Sequence, residues 1–400
     1  MKIYEIGTGY TPIPAKMGAA TEIVVEELTR SLIKNGEDAE IVDIAAKERG
    51  KIEIPLSEVS VPSIFTKSDV SLGIMHKLKR VVYSIALARK LKKILKSTDE
   101  KVVLHFHNQY NLFFFLKLTN KKLLSKALIA YTVHSYVWHG EWSEIEGTVK
   151  KKYFQEVVCL KNADCIFVLN EKTKSNISDN IEGVPAEKVL LINNGVNSDT
   201  YRRFSAEEKE STKEKLGVKN KIVFIQVGSV CDRKNQLESV RLLLPLMKQK
   251  DNVVFCYMGG IISQEYQDQI KKFAEENSVS DRVLYCGEIC PGMTLNEYYN
   301  VAEAMIFPSK AEGFSLVVIE AMSAGVPVVI NKDLIFKLSD DCLRYDDDDS
   351  FMKIINENIL DKNCRDSLSD RVRDAATGEY SWDAIAKDYV NNFEKGFNNK

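Results

Sequence analysis

Several signatures are missing from this 400-residue sequence, and each absence removes a class of protein. No apolar run approaches the roughly 18 residues that carry a helix across a bilayer, so a membrane-spanning helix is not expected. The N-terminus, MKIYEIGTGY, turns polar too early for a secretory signal peptide, which points to the cytoplasm. Charge of one sign is not in excess. The formal net charge is -2, which gives no reason to expect nucleic acid as a partner. Eight cysteines are scattered along the chain. The close pair, Cys286 and Cys290, is spaced C-x3-C with no second pair to complete a metal site, so reduced, packed thiols are expected. GTGYTP, after the first apolar run, is not G-x-G-x-x-G and no helix begins at once behind it, which disfavours a dinucleotide oxidoreductase. Internal repeats are absent. The run DDDD (346–349) reads as a solvated loop in preference to a metal site.

What is present is enough apolar material for sizeable cores: 44% of residues are hydrophobic and 28% charged. The length suggests two or three domains. Short apolar runs alternate with helical spacing. MKIYEIGTG, AEIVDI, KVVLHFH, ALIAYTVH and DCIFVLN have the character of strands covered on both faces, and ATEIVVEELTRSLIK (20–34) places Ala20, Val24, Leu28 and Leu32 at helical intervals. KVLLINNGVN closes this first series, and the charged stretch DTYRRFSAEEKESTKEK (199–215) is read as a domain junction. A second series follows: strands at KIVFIQVG, NVVFCYMGG, DRVLYCG, AMIFPS and PVVIN, with helices around 263–277, 294–301 and 315–324. The expected architecture is therefore α/β, with two doubly wound parallel sheets, one in each of two Rossmann-like domains at 1–198 and 199–380, facing across a cleft. A final helix at 381–400 is expected to pack back on the first domain. Ligands of such sheets bind at the carboxyl ends of the strands.

The stretch AEGFSLVVIEA (311–321) poses the sharpest question, because Glu312 and Glu320 flank an apolar run that belongs in an interior, where an unpaired carboxylate is costly. In its wider context, FPSKAEGFSLVVIEAMSAGVPVV, this block resembles the signature of retaining GT-B glycosyltransferases, in particular glycosyltransferase family four. The likeness extends to INNGVN, to VGSVCDRKN and to YSWDAIAKDYV. It implies a GT-B fold and a hexosyltransferase that moves a sugar from a nucleotide diphosphate sugar, UDP-sugar first, to a glycan or lipid-linked acceptor. Transfer is expected on the front face, with retention and without cofactor or metal, as part of polysaccharide or glycoconjugate biosynthesis.

The physics of the residues agrees with that resemblance. Gly313 provides a bend and a close approach of backbone. The amides of Phe314, Ser315 and Leu316 then lie at a helix start, which attracts a phosphate. Glu312 is expected to accept hydroxyls of the donor sugar, and Glu320 two ribose hydroxyls. The resemblance assigns Lys234 to the diphosphate. It expects an arginine directly after Gly228, where Ser229 stands, and Arg233 is the candidate replacement. His134 is matched to the histidine that approaches the donor sugar, His107 to an earlier one near the acceptor, and Gly18 to one glycine of a pair near the phosphates. Each feature also has a plainer reading: Glu320 capping a loop, an exposed Arg-Lys pair, structural histidines, Gly18 as an ordinary helix-start residue. Residues 76–96 carry eight Lys/Arg and no acid, with Leu78, Val81, Val82 and Ile85 on one helical face. Such a helix is suited either to an anionic membrane surface or to core packing with a solvated basic side. Two alternatives to a transferase remain open on the same scaffold, a non-catalytic binding or coat protein and a sugar phosphorylase.

Overall fold

Strands that are apolar on both faces have to lie inside a parallel sheet with helices on each side, and the sequence alternates accordingly. The computed structural model describes residues 1–14, 19–46, 49–65, 74–334 and 340–400. The chain divides into two units, Met1–Gly195 with Trp382–Lys400, and Val196–Ser381.

In the first unit, seven strands run parallel: β1 (Lys2–Ile6), β2 (Asp38–Ile44), β3 (Leu56–Val59), β4 (Val102–Phe106), β5 (Ala127–Thr132), β6 (Cys165–Val168) and β7 (Val189–Leu191). Their order is β3-β2-β1-β4-β5-β6-β7. β1 pairs with both β2 and β4, so that Ile3 lies between Ala39 and Val103. The order reverses direction between β1 and β4, and the carboxyl ends of those two strands open onto the crevice where such sheets bind ligands. All of β4, β5 and β6 is buried. The second unit repeats the plan with six parallel strands: β8 (Ile222–Val227), β9 (Val253–Met258), β10 (Val283–Tyr285), β11 (Ala304–Phe307), β12 (Val328–Asn331) and β13 (Leu343–Tyr345). Their order, β10-β9-β8-β11-β12-β13, puts the reversal between β8 and β11. Both units are doubly wound, Rossmann-like layers.

Some expectations need correcting. Two strands went unread, β3 (LSEV) and β13 (LRY). Both are sheet edges, short and charged, which is how edges avoid pairing with other chains and why they lack an apolar signature. The first crossing between units falls at Gly195–Val196, ahead of residue 199. The charged stretch beyond it is no linker: Ser205 and Glu208 form a capping box that starts the helix Ala206–Lys215. The acidic run is likewise put to local use. Asp347 caps the helix Asp348–Ile354, and Arg241 pairs with Asp348 at 2.6 Å. All eight cysteines are free thiols.

The basic helix, Ile74–Ser97, packs through Tyr83, Ser84, Leu87, Ala88, Leu91 and Leu95. Of the face read as apolar, Leu78 and Val81 point outward and Val82 and Ile85 are half-buried: Leu78 is 46% exposed and Ile74, four residues earlier, 84%. Among the described residues no helix is long and apolar enough to cross a membrane.

The C-terminal helix, Trp382–Asn398, belongs to the first unit. Its Tyr389 and Phe393 rings lie 4.6 and 5.8 Å from Phe167 and 5.1 and 5.6 Å from His105. Phe393→Ala is expected to cost the first unit about 3–5 kcal/mol, since it empties a fully buried ring site. Chemical denaturation checks this, and a loss below about 1 kcal/mol would show that the helix is not docked as described.

Candidate functional site

The second unit gathers its polar side chains at its switch point. Gly228 ends β8 with φ 149°, and a Cβ at Gly259 on the neighbouring strand would come within 2.2 Å of the Gly228 carbonyl oxygen. Two glycines therefore let the strand ends approach, and the chain turns at once into the loop 229–235. That loop is tied to the one after β11: Lys310 N donates to Arg233 O at 2.9 Å, and Asn235 Nδ2 to Pro308 O at 3.3 Å. Beneath them Gln226, fully buried in β8, donates to Lys234 O at 2.6 Å and accepts from Ser239 Oγ at 2.7 Å.

These ties bring Arg233, Lys234 and Glu312 together. Lys234 Nζ lies 2.6 Å from Glu312 Oε1, Arg233 Nη1 donates to the same oxygen at 2.9 Å, and Ser309 Oγ donates to it at 2.6 Å. The carboxylate is only 3% exposed, so it needs these partners. Among the described residues no protein group meets Oε2, which keeps acceptor capacity for a ligand hydroxyl. Burial pulls the Lys234 pKa down, opposed by Glu312. Arg233 thus reaches the same carboxylate oxygen as Lys234, while Ser229 holds the place where an arginine was expected.

From Glu312 the chain passes through Gly313 and Phe314 to Ser315, which precedes the helix Leu316–Ser323 with no side-chain cap bond. The amides of Leu316 and Val317 open the helix and have no intrahelical acceptor. Ser315 is buried, and the Phe314 ring lies 6.0 Å from that of Tyr380. Glu320 sits one turn inside. Its Oε2 accepts from Tyr299 OH at 2.9 Å, and Tyr201 supplies a second side-chain hydrogen bond. Burial raises its pKa to about 7 in spite of those two hydroxyls. Glu320 therefore faces phenol hydroxyls, the same kind of donor that a ribose would offer.

In the first unit the switch point holds a second polar cluster. Glu5, next to the last residue of β1 and fully buried, lies 2.9 Å from His105 Nδ1 and 2.8 Å from His107 Nε2. His107 Nδ1 is 3.2 Å from His134 Nε2. His134 is partly exposed, on the loop after β5, and that loop is held from below. Glu156, fully buried, accepts from Tyr131 OH at 2.6 Å, Ser135 Oγ at 2.8 Å and Trp138 Nε1 at 3.0 Å. Both ring nitrogens of His107 are engaged by protein. Nε2 faces Glu5 and Nδ1 faces His134. Among the described residues, Glu5, His105 and His107 form the one group whose ligand atoms lie close enough to share a metal ion. Hydrogen bonds already account for that spacing. Gly18 lies outside the described residues.

Sequence reasoning missed Glu5, Gln226, Glu156 and the two tyrosines that hold Glu320. For the first two a signal existed: a single polar residue inside an otherwise apolar strand, EI in MKIYEIG and Q in KIVFIQV, marks a buried group that must have a partner.

Comparison with known proteins follows this geometry. A family model described as Glycosyltransferase Family 4 matches residues 21–200, and one described as Glycosyl transferases group 1 matches residues 208–337. The chain is 27% identical over 219 residues to an uncharacterised glycosyltransferase of Methanocaldococcus jannaschii, covering 53% of this chain and 55% of that one. It is 23% identical over 231 residues to the lipopolysaccharide 1,2-N-acetylglucosaminetransferase of Salmonella typhimurium, covering 54% and 59%. The matched region spans little more than half the length of these curated relatives. Among solved structures, Anabaena HepE in complex with UDP and glucose superposes with a TM-score of 0.70 at 15% identity, over 99% of this chain and 100% of that one, a likeness of fold.

The raised pKa of Glu320 has a measurable sign. The folded protein holds this proton more tightly than the unfolded chain, so the group stabilises most below pH 4.5, and that contribution is lost as pH rises through about 7. Glu320→Gln keeps an oxygen for the tyrosines and removes the buried charge. Without ligand it is expected to stabilise the protein at pH 8 by up to about 3 kcal/mol, several degrees in melting temperature, and to do so little at pH 4.5. Melting curves at the two pH values check this; an equal shift at both would contradict a proton-linked cost.

Proposed function

Because this chain belongs to family four of the GT-B glycosyltransferases, we propose that it moves a sugar from a nucleoside diphosphate sugar to a glycan or lipid-linked acceptor, with retention and without a metal ion. One observation carries this reading: two buried carboxylates flank an uncapped helix start, one holding two cations and the other bonded to hydroxyl donors. The diphosphate docks on the amides around Ser315, Leu316 and Val317, with Lys234 and Arg233 supplying positive charge. Ribose hydroxyls join or replace the phenols on Glu320. Glu312 keeps the two cations in place through Oε1 and takes a sugar hydroxyl at Oε2. In the first unit, His134 meets a substrate hydroxyl.

Transfer breaks the bond between the anomeric carbon and the phosphate oxygen and forms one to the acceptor oxygen on the same face. The acceptor's proton passes to the departing phosphate oxygen, so no protein base is demanded at the anomeric carbon. The protein contributes positioning and charge stabilisation. UDP is the first nucleotide to test, and HepE was solved with it. The Salmonella relative's name, a lipopolysaccharide transferase, supports a glycoconjugate acceptor.

A lipid-linked acceptor would fit the basic helix Ile74–Ser97, which exposes Ile74, Met75, Leu78 and Val81 beside Lys77. We place an anionic membrane surface against it.

Among UDP, GDP and ADP, one nucleotide at about 100 times its dissociation constant should stabilise the chain by roughly 2.7 kcal/mol, and Glu320→Ala should abolish the effect. The matching nucleotide sugar should then be hydrolysed slowly, or transferred with retention, at a rate unchanged by EDTA. Stabilisation by none of the three would favour a non-catalytic binding protein, the reading to which Ser229 points.

Sedimentation with vesicles tests the membrane surface separately. Binding should be stronger to anionic than to zwitterionic vesicles, and Leu78→Glu should weaken it several-fold. Equal binding to both, or none, would remove the membrane from the account.

A further inference from the structure

We infer that Glu5 and His107 form a positioning relay that presents His134 to the substrate with a bare Nδ1, a hydrogen-bond acceptor reserved for a hydroxyl. The inference rests on the reading above in one respect, that His134 meets a substrate. The direction of the hydrogen bonds behind it follows from their geometry together with which of the groups carry protons.

An ionised carboxylate can only accept. Burial pushes the Glu5 pKa up, but the imidazoles of His105 and His107 more than offset this and bring it down to about 2, so Glu5 is a carboxylate at neutral pH. The two nitrogens beside it, His105 Nδ1 and His107 Nε2, therefore carry protons. Burial and the neighbouring His105 hold His107 at a pKa of about 4, against the pull of Glu5, so its ring has one proton, already committed to Glu5. His107 Nδ1 is then a lone pair. His134 Nε2, 3.2 Å away, has to be the donor. Partial burial, followed by the two other histidines, holds the His134 pKa well below 6.5, leaving a single ring proton at Nε2. Its Nδ1 is bare, and among the described residues no protein group meets it.

The far end of the chain is buttressed. His105 Nε2 lies 2.8 Å from Thr132 Oγ1, which is 3.4 Å from Tyr389 OH on the C-terminal helix. The whole line from Glu5 to His107 lies out of solvent, so water does not compete for the bonds that set its direction. A bare nitrogen accepts from a hydroxyl and repels a phosphate or carboxylate oxygen. His134 would thus select a sugar hydroxyl and stay clear of the diphosphate, which a cationic histidine would attract.

Two arms test this on the full chain. Two-bond proton–nitrogen correlations of histidine-labelled protein at pH 7.5 should show His134 neutral and protonated at Nε2, with that proton slow to exchange and lost from the slow pool in His107→Phe. A cationic His134, or a proton on its Nδ1, overturns the relay whatever the chain's activity. The kinetic arm uses His107→Gln, whose amide can donate to Glu5 and accept from His134, against His107→Phe, which can do neither. His107→Phe should lower kcat about tenfold with the donor KM within twofold, and His107→Gln should recover most of the loss. Equal losses in both variants, or none in either, would reduce His107 to a space-filling residue. Should the wild-type chain transfer sugar from no nucleotide donor, the functional reading fails and the spectra alone decide the relay.

Discussion

A carboxylate taken out of water has to be given its hydrogen bonds back, and both units of this protein are organised around that demand. In the second unit, Glu312 is covered by its own loop and satisfied by Lys234, Arg233 and Ser309 on a single oxygen. Removing both cations would leave an uncompensated buried charge, an expensive state. The loop after β8 and the loop after β11 are thereby held in register with each other. In the first unit Glu5 plays the same part with two histidines at the ends of β1 and β4. Each cluster lies where the strand order reverses, the one place in a doubly wound sheet where loops diverge and leave room for a ligand.

Glu320 departs from this pattern in an informative way. Two phenol hydroxyls satisfy it, yet its pKa remains near 7, so the ionised form is held at a cost. A group in that condition gains from any further hydroxyl donor. The helix start ahead of it is equally unfinished, with amides that have no side-chain cap. On the proposed reading these amides are left for a ligand, the usual relation between stability and function at a binding site.

Most of the fold was legible because burial on both faces leaves a plain mark: strands such as ALIAYT and VVFCYM contain no charged residue. The edge strands β3 and β13 left none, since an edge is kept short and charged. The chain crossing at Gly195 was hidden because a capped charged helix looks like a linker in sequence. At the candidate site, Glu312 and Glu320 were picked out from one block of residues and Lys234 from the separate stretch VGSVCDRKN, each through a resemblance to a family, and the fold brings Lys234 beside Glu312. Tyr201 and Tyr299, which hold Glu320, could not be picked out, because a tyrosine in an apolar helix or loop gives no hint of what its hydroxyl meets. Glu5 and Gln226 stood in view as lone polar residues in apolar strands. Reading them required knowing which strand lies next to which, and that is a property of the sheet order.

The central claim is that the helix start after Gly313 and the carboxylate of Glu320 together hold a nucleoside diphosphate. A crystal structure of the chain with bound UDP, or with whichever nucleoside diphosphate stabilises it, tests this most directly. The account predicts phosphate oxygens within hydrogen-bond distance of the amides of Ser315, Leu316 or Val317, and both ribose hydroxyls on Glu320. A nucleotide bound elsewhere, with Glu320 still bonded to Tyr299 and Tyr201 alone, would contradict it.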